Sequence, residues 1–247
     1  MIPLKSQKDL EMLSRSGKIL ARVIKEISKF VRAGITTSDI DRLGEELILK
    51  EKAVPAFKGY KGFPASVCVS VNEEIVHGIP GPRVLLEGDI VSVDLGVNYQ
   101  GYFSDAALTL PVGRVESGKK KLIEVAKQAL DIGIKQAYPG NNLSDISHSI
   151  QSFVEGHGFS VVRQFVGHGI GAVLHEEPEI PNFGEPHLGP QLKSGMVLAI
   201  EPMINLGGWE ARITANGWTA VTKDGLSSAH FEHTVAITDK GPVILTQ

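Results

Sequence analysis

The chain has 247 residues, 42% of them hydrophobic and 21% charged, which is the composition of an ordinary folded protein long enough to bury a substantial core. Its 25 Lys and Arg against 28 Asp and Glu give a formal net charge of −3, which provides no basis for attachment to nucleic acid or to an acidic membrane surface. Cys68 is the single cysteine, so an intrachain disulfide is excluded and a reducing, cytoplasmic setting is expected.

The opening stretch, "MIPLKSQKDLEMLSRSGKIL", lacks the apolar run of a secretion signal, and Asp9 and Glu11 argue against a transit peptide. No run of 18 apolar residues marks a membrane span. Residues 6–31 place Leu10, Leu13, Leu20, Val23, Ile24, Ile27 and Phe30 at helical spacing, with Gly17 at the missing step, which predicts an amphipathic helix. "TTSDIDRLGEELILKEK" predicts a second helix, capped by Thr37 or Ser38. "SVCVSVNEEIVHGIP" is rich in β-branched residues and predicts strand and loop, and residues 90–110 predict a hairpin.

The order then repeats. "SGKKKLIEVAKQALDIGIKQAYPG" and "NNLSDISHSIQSFVEGHG" predict a second helix pair. Strands follow in "SVVRQFVGHGIG", "GMVLAIEPMI" and "WTAVTKDG" running on to "AHFEHTVAITD". "AGITTSDI" (33–40) and "PGNNLSDI" (139–146) align without a gap at an offset of 106 residues, which points to an internal duplication. The expected fold is α+β, with helices covering one face of a curved antiparallel-rich sheet and a pseudo-twofold axis relating the halves. With no Pro/Gly/Ser-rich linker between them, residues 1–247 read as a single domain with halves of approximately 1–112 and 113–247. Chemistry is expected between the halves.

The hairpin "VSVDLGVNYQGYFSD" carries a carboxylate in each apolar run, Asp94 and Asp105. A turn centred on Tyr99 and Gln100 makes these two direct cross-strand neighbours, with β-carbons roughly 5 Å apart. A turn displaced by one residue is expected to send them to different faces. Val91, Val93, Leu95 and Val97 form an apolar stripe on the opposite face. Opposed like charges destabilise a sheet, so a proton or a cation must sit between them.

Glu201 continues the face of Val197 and Ala199, Glu232 lies in another apolar strand, and His168 stands between glycines. Alone, each has an ordinary reading as a strand-end carboxylate or a solvated loop histidine. Together, hard oxygen donors with one nitrogen suit divalent Mn, Co, Fe or Zn. Two bridging carboxylates with terminal ligands can hold a pair of ions roughly 3.5–4 Å apart.

"SVCVSVNEEIVHGIP", "DLGVNYQGYFSDAALT", "GHGIG", "HEEPEIPN", "AIEPM" and "FEHTV" appear in order over roughly residues 60–237, and they closely resemble methionine aminopeptidase type I of peptidase family M24. The N-terminal helices resemble that family as well. The resemblance implies the "pita-bread" α+β fold and removal of the initiator methionine from nascent chains with a small second residue, by attack of metal-activated water on the peptide bond. It implies that Asp94, Asp105, His168, Glu201 and Glu232 bind two divalent ions (Co, Mn, Fe, Zn or Ni). Asp105 and Glu232 would bridge the ions, and Glu201 would also shuttle a proton.

His77 and His175 match the family's substrate-contacting histidines, and Tyr60, Phe63, Cys68 and Trp218 match pocket-lining positions. Two positions depart from the pattern: Leu174 replaces a frequent phenylalanine, and His230 stands where glutamine is expected. The 31-residue step from Glu201 to Glu232 leaves no room for the type II insert, and no zinc-binding N-terminal extension is present, so the short bacterial or organellar form is implied. The implied partners are nascent polypeptide N-termini, with the ribosome surface nearby, and the implied state is a monomer. The alternatives are an Xaa-Pro peptidase of the same fold, which usually carries an extra N-terminal domain, and a non-catalytic peptide-binding relative, which typically loses metal ligands.

Overall fold

The computed structural model describes residues 2–247. Ser6 opens α1 (Gln7–Phe30) with a reciprocal capping box: its hydroxyl accepts from the Asp9 amide, and the Asp9 carboxylate accepts from the Ser6 amide. The predicted apolar stripe is the buried one, with Leu13, Leu20, Val23 and Ile27 at most 2% exposed. α2 (Thr37–Lys50) is capped by Thr36 rather than by Thr37 or Ser38. Thr36 stands three residues before Asp39, whose carboxylate accepts its amide at 2.9 Å, while the Thr37 hydroxyl donates to the Gly81 carbonyl instead.

The second helix pair is α3 (Ser117–Ile134) and α4 (Leu143–Gly156). The offset of 106 residues maps Thr36 onto Asn142 and Asp39 onto Asp145, and the Asp145 carboxylate accepts the Asn142 amide at 2.8 Å. Both helix starts dock on a later loop in the same way. Thr37 and Ser38 amides donate to the Arg83 and Gly81 carbonyls, and Leu143 and Ser144 amides donate to those of Pro190 and Leu188. The duplication read from eight residues is thus repeated in the hydrogen bonding.

The first half contributes β1 (Val54–Pro55), β2 (Cys68–Val71), β3 (Glu74–Val76), β4 (Ile90–Tyr99) and β5 (Tyr102–Pro111). The second contributes β6 (Ser160–Val161), β7 (Gly167–Gly169), β8 (Glu176–Ile180), β9 (Val197–Ile200), β10 (Met203–Asn205), β11 (Ala211–Ile213), β12 (Ala220–Thr222), β13 (Ser228–His230), β14 (Glu232–Thr238) and β15 (Gly241–Ile244). Among the described residues, one antiparallel sheet runs β1-β4-β5-β14-β9-β7-β8, with β2 also on β4 and β15 also on β14. The edge and short strands β1, β8, β11 and β15 go beyond those anticipated from the sequence.

Strand alternation divides the sheet into two faces. Val91, Val93, Leu95 and Val97 pack against Leu20, Val23 and Ile27 of α1 and Ile40 and Ile48 of α2. In the other half Leu198, Ile200, Val235 and Ile237 pack against Leu122 and Leu130 of α3 and Ile146 and Ile150 of α4. Each such side chain contributes about 1.5–3 kcal/mol on burial, so the helices fix which face is the core. The intervening residues, among them Asp94, Asp105 and Glu232, necessarily point to the other side. No helix among the described residues is long and apolar enough to cross a membrane.

The hairpin register corrects the expected one. Tyr99 pairs with Tyr102, so the turn is Gln100–Gly101, one residue further along than expected. Asp94 therefore opposes Ala107, and Asp105 opposes Gly96. The two carboxylates still share a face, as diagonal neighbours, because moving a turn by one residue moves the pairing by two. Both loop residues have positive φ, 53° at Gln100 and 86° at Gly101, as a two-residue hairpin turn requires. That demand draws Gly101 into the loop instead of beside it.

Candidate active site

Four carboxylates meet where the two halves join. Asp94 and Glu232 both oppose Ala107 from either side of β5, so one row across β4, β5 and β14 reads carboxylate, methyl, carboxylate. The small alanine leaves the space between them open. Asp105 is held two residues away by Thr234, whose hydroxyl accepts its amide at 2.9 Å and donates to its carbonyl at 2.8 Å. Glu201 follows the last residue of β9, next to the start of β14.

His168 is the centre of the three-residue strand β7. A β-carbon on either flanking glycine would collide with the backbone, at Ala199 for Gly167 and at Glu177 for Gly169. The glycines therefore serve close approach of neighbouring strands. His168 Nδ1 lies 2.8 Å from the Gly169 carbonyl, which can only accept, so Nδ1 donates and Nε2 is the nitrogen turned toward the Glu201 carboxylate.

One donor atom each from Asp105, His168 and Glu232 lies within 4.8 Å of the other two, and the same holds for Glu201, His230 and Glu232. Among the described residues no Lys or Arg pairs with these carboxylates; the neighbours of Glu201 are His168 Nε2 and His230 Nε2, each at 3.6 Å. Asp94 Oδ1, Asp105 Oδ1 and Glu232 Oε1 are buried without a hydrogen-bond partner. Burial pushes Asp94 and Glu201 up to about 7. Burial and then the neighbouring carboxylates raise Asp105 and Glu232 well above the usual range. Orphaned buried oxygens in a cluster of repelling acids call for positive charge, and an oxygen-rich set with imidazole suits a divalent metal. The residues present fit that group.

The carboxylates form the floor of a cavity of about 350 Å³. All twelve residues expected from the sequence at a metal or substrate site line this one cavity. Phe63 meets Trp218 edge-on at 5.2 Å, and Leu174 is buried beside them. Cys68 faces Asp94 across β2 and β4; burial and then Asp94 raise its thiol well above the ordinary value, which leaves it an unreactive wall residue.

His77 holds a left-handed backbone, φ 59°, which non-glycine residues adopt rarely and mostly where surrounding structure enforces it. Its ring meets Phe165 at 5.6 Å and Trp218 at 6.4 Å, and burial lowers its pKa to about 4. His175 stands at the open mouth, stacked on Tyr60 at 5.2 Å and 4.1 Å from the His168 ring. Desolvation and then His168 lower its pKa, so both histidines are neutral near pH 7. Phe57, Lys61, Val76, Gln164, Phe165 and Val166 also line the cavity and are not marked in the sequence; they come from loops or short elements, where no periodicity marks a facing side.

A curved antiparallel sheet with buried acids and imidazoles lining a largely apolar cavity is the architecture of a metallopeptidase. The model of metallopeptidase family M24 matches residues 11–239, and the chain belongs to that family. It is 51% identical over 247 residues to methionine aminopeptidase 1 of Bacillus subtilis (strain 168), covering 100% of both chains. Its fold matches the crystal structure of methionine aminopeptidase from Thermotoga maritima with a TM-score of 0.99, at 48% identity and 100% coverage of both chains. It also matches the prolidase from Pyrococcus horikoshii OT3 with a TM-score of 0.81 at 22% identity, covering 99% of this chain and 63% of the prolidase, a likeness of fold alone. As a metallopeptidase the protein is a hydrolase.

Proposed function

We propose that this enzyme is a methionyl aminopeptidase, removing the N-terminal methionine from nascent chains whose second residue is small. The observation that carries this reading is the placement of an unpaired carboxylate cluster at the floor of an apolar, aromatic-walled cavity. A methionine side chain is unbranched and apolar, and its sulfur makes favourable contacts with aromatic rings such as Tyr60, Phe63 and Trp218.

Asp94, Asp105, His168, Glu201 and Glu232 would hold two divalent ions of the Co, Mn, Fe, Zn or Ni kind. When bound, the ions supply Lewis acidity that activates water and polarises a peptide carbonyl. Glu201, set between His168 Nε2 and His230 Nε2, would also take up and return a proton during hydrolysis. His77, neutral near pH 7, orients the scissile nitrogen or assists the leaving amine. His175 at the mouth donates a hydrogen bond to the developing oxyanion. The expected working form is a single-domain cytoplasmic monomer acting on N-termini near the ribosome; the lone buried Cys68 suits a reducing compartment.

The metal-loaded protein should release methionine from Met-Ala-Ser and leave Met-Lys-Ser intact. Cleavage of Xaa-Pro peptides in preference would favour the prolidase-like alternative, and no cleavage at all a non-catalytic relative.

A further inference from the structure

His230 ends β13, and its backbone is pinned on both sides by one side chain. The Thr109 hydroxyl accepts from the His230 amide at 2.8 Å and donates to the His230 carbonyl at 2.9 Å, while the Ser92 hydroxyl stands 2.8 Å from the Thr109 hydroxyl. Ala229, the preceding residue, packs into the core under the second helix pair, so alternation sends the His230 ring to the carboxylate side. There the residue is 1% exposed, and neither ring nitrogen has a hydrogen-bond partner.

A neutral imidazole has one N–H donor and one lone pair, and leaving both unused in a dry interior costs stability. Glu201 Oε2 lies 3.6 Å from Nε2, beyond hydrogen-bond range. That spacing does suit two donors sharing an ion: ligand bonds of roughly 2.0–2.2 Å place neighbouring donor atoms roughly 3–4 Å apart. His230, Glu201 and Glu232 each bring one donor atom within 4.8 Å of the others.

The geometry points to His230 as a nitrogen donor to the metal centre, an inference that rests on the metal-centre reading above. Two donor groups then share Glu232, and each holds two carboxylates and one imidazole: Asp105, His168 and Glu232, and Glu201, His230 and Glu232. A second nitrogen shifts preference away from Mn and toward Co, Ni and Zn, which accept imidazole readily.

Cadmium-113 loaded into the metal-stripped protein, labelled with nitrogen-15 histidine, tests this directly through one-bond cadmium–nitrogen coupling. Two coupled histidine side chains are expected, and His230→Gln should lose one and keep the other. A single coupled histidine in the unaltered protein overturns the role of His230 while leaving the metal centre standing. Failure to bind cadmium at all overturns both. Calorimetry supplies a second reading: His230→Gln should weaken one cobalt-binding step at least about tenfold, the loss that even an outer partner produces, and manganese binding less. Equal effects on the two metals, or none, count against the proposal. The coupling count in the unaltered protein decides the matter even if the variant fails to fold.

Discussion

Asp94 and Asp105 share one face of the β4–β5 hairpin without facing each other: Asp94 opposes Ala107 and Asp105 opposes Gly96. A diagonal placement separates the two charges more than direct opposition would, yet keeps both aimed at the same space. The turn sets this offset. Gly101 sits at φ 86°, and a β-carbon added there would have nothing within 4 Å, so Gly101→Ala meets no steric obstacle and pays only for conformation. We expect a loss of about 1 kcal/mol or more, read from denaturant unfolding, with full metal content retained if the register holds. Unchanged stability would mean that the turn does not pin the hairpin.

Asp105→Asn keeps the shape of the side chain and the backbone bonds to Thr234, but removes the charge. If Asp105 lies between two ions, bound metal should fall and peptidase activity should drop by several orders of magnitude, while the metal-free variant is no less stable than its parent. The last outcome follows because the folded metal-free protein must hold Asp105 protonated while the unfolded chain has it ionised, and asparagine avoids that cost. Full metal occupancy with normal turnover would exclude a bridging role.

Much of the site could be read from the sequence because its residues violate their surroundings. Asp94, Asp105, Glu201 and Glu232 interrupt apolar strand patterns, and an acid in a buried strand requires a reason. The helices were equally visible, since Leu13, Leu20, Val23 and Ile27 repeat at the period of the helix they form. What failed was local geometry. The turn was misplaced because Gln100 does not advertise a positive φ, and the α2 cap was misplaced because Thr36 gains its advantage only through Asp39. Phe57 and Phe165 were missed because their wall positions depend on loops folding over the sheet. That the carboxylates of the two halves meet came from motif resemblance, since no periodicity reports contact between distant strands.

The carboxylate cluster makes metal binding and stability depend on pH. Asp94 and Glu201 are raised to about 7, and Asp105 and Glu232 are raised well above their ordinary values. The folded metal-free protein therefore binds more protons than the unfolded chain from about pH 4 upward, and this contribution to stability is lost as pH rises through about 7. His77, His175, His230 and His233, all lowered first by burial, act in the opposite sense, but their contribution levels off about one unit above the unfolded value near 6.5. Above about pH 7.5 the carboxylates alone remain, so the melting temperature of the metal-free protein should fall. Saturating manganese should raise it more at pH 8 than at pH 6, and fewer protons should be released on binding at the higher pH. An equal gain at both values would contradict protonated acids in the metal-free site.

Lys5 and Glu176 form an ion pair across the base of the segment that carries His175, with each side chain 9% exposed. Glu176 Oε1 also accepts the Ala172 amide at 3.0 Å, and the Lys5 amide donates to the Gly195 carbonyl at 2.7 Å. The chain ahead of α1 is thereby tied to the residue next to His175, which rests on Tyr60 and His168. Removing one partner of a buried pair leaves an uncompensated charge, at a cost of roughly 3–5 kcal/mol when burial is complete. Since this pair retains some solvent contact, Lys5→Ala should sit at or below the lower end, about 2–3 kcal/mol. It should also lower kcat with metal content unchanged, because the Lys5 amide bond to Gly195 survives the substitution and the Lys5 ammonium pairs with Glu176, not with the buried carboxylate cluster. The double variant Lys5→Met/Glu176→Gln removes both charges and should recover a good part of the stability, so the two single effects will not add. Strict additivity, or a loss of metal in step with activity, would show that the pair does not act by placing His175.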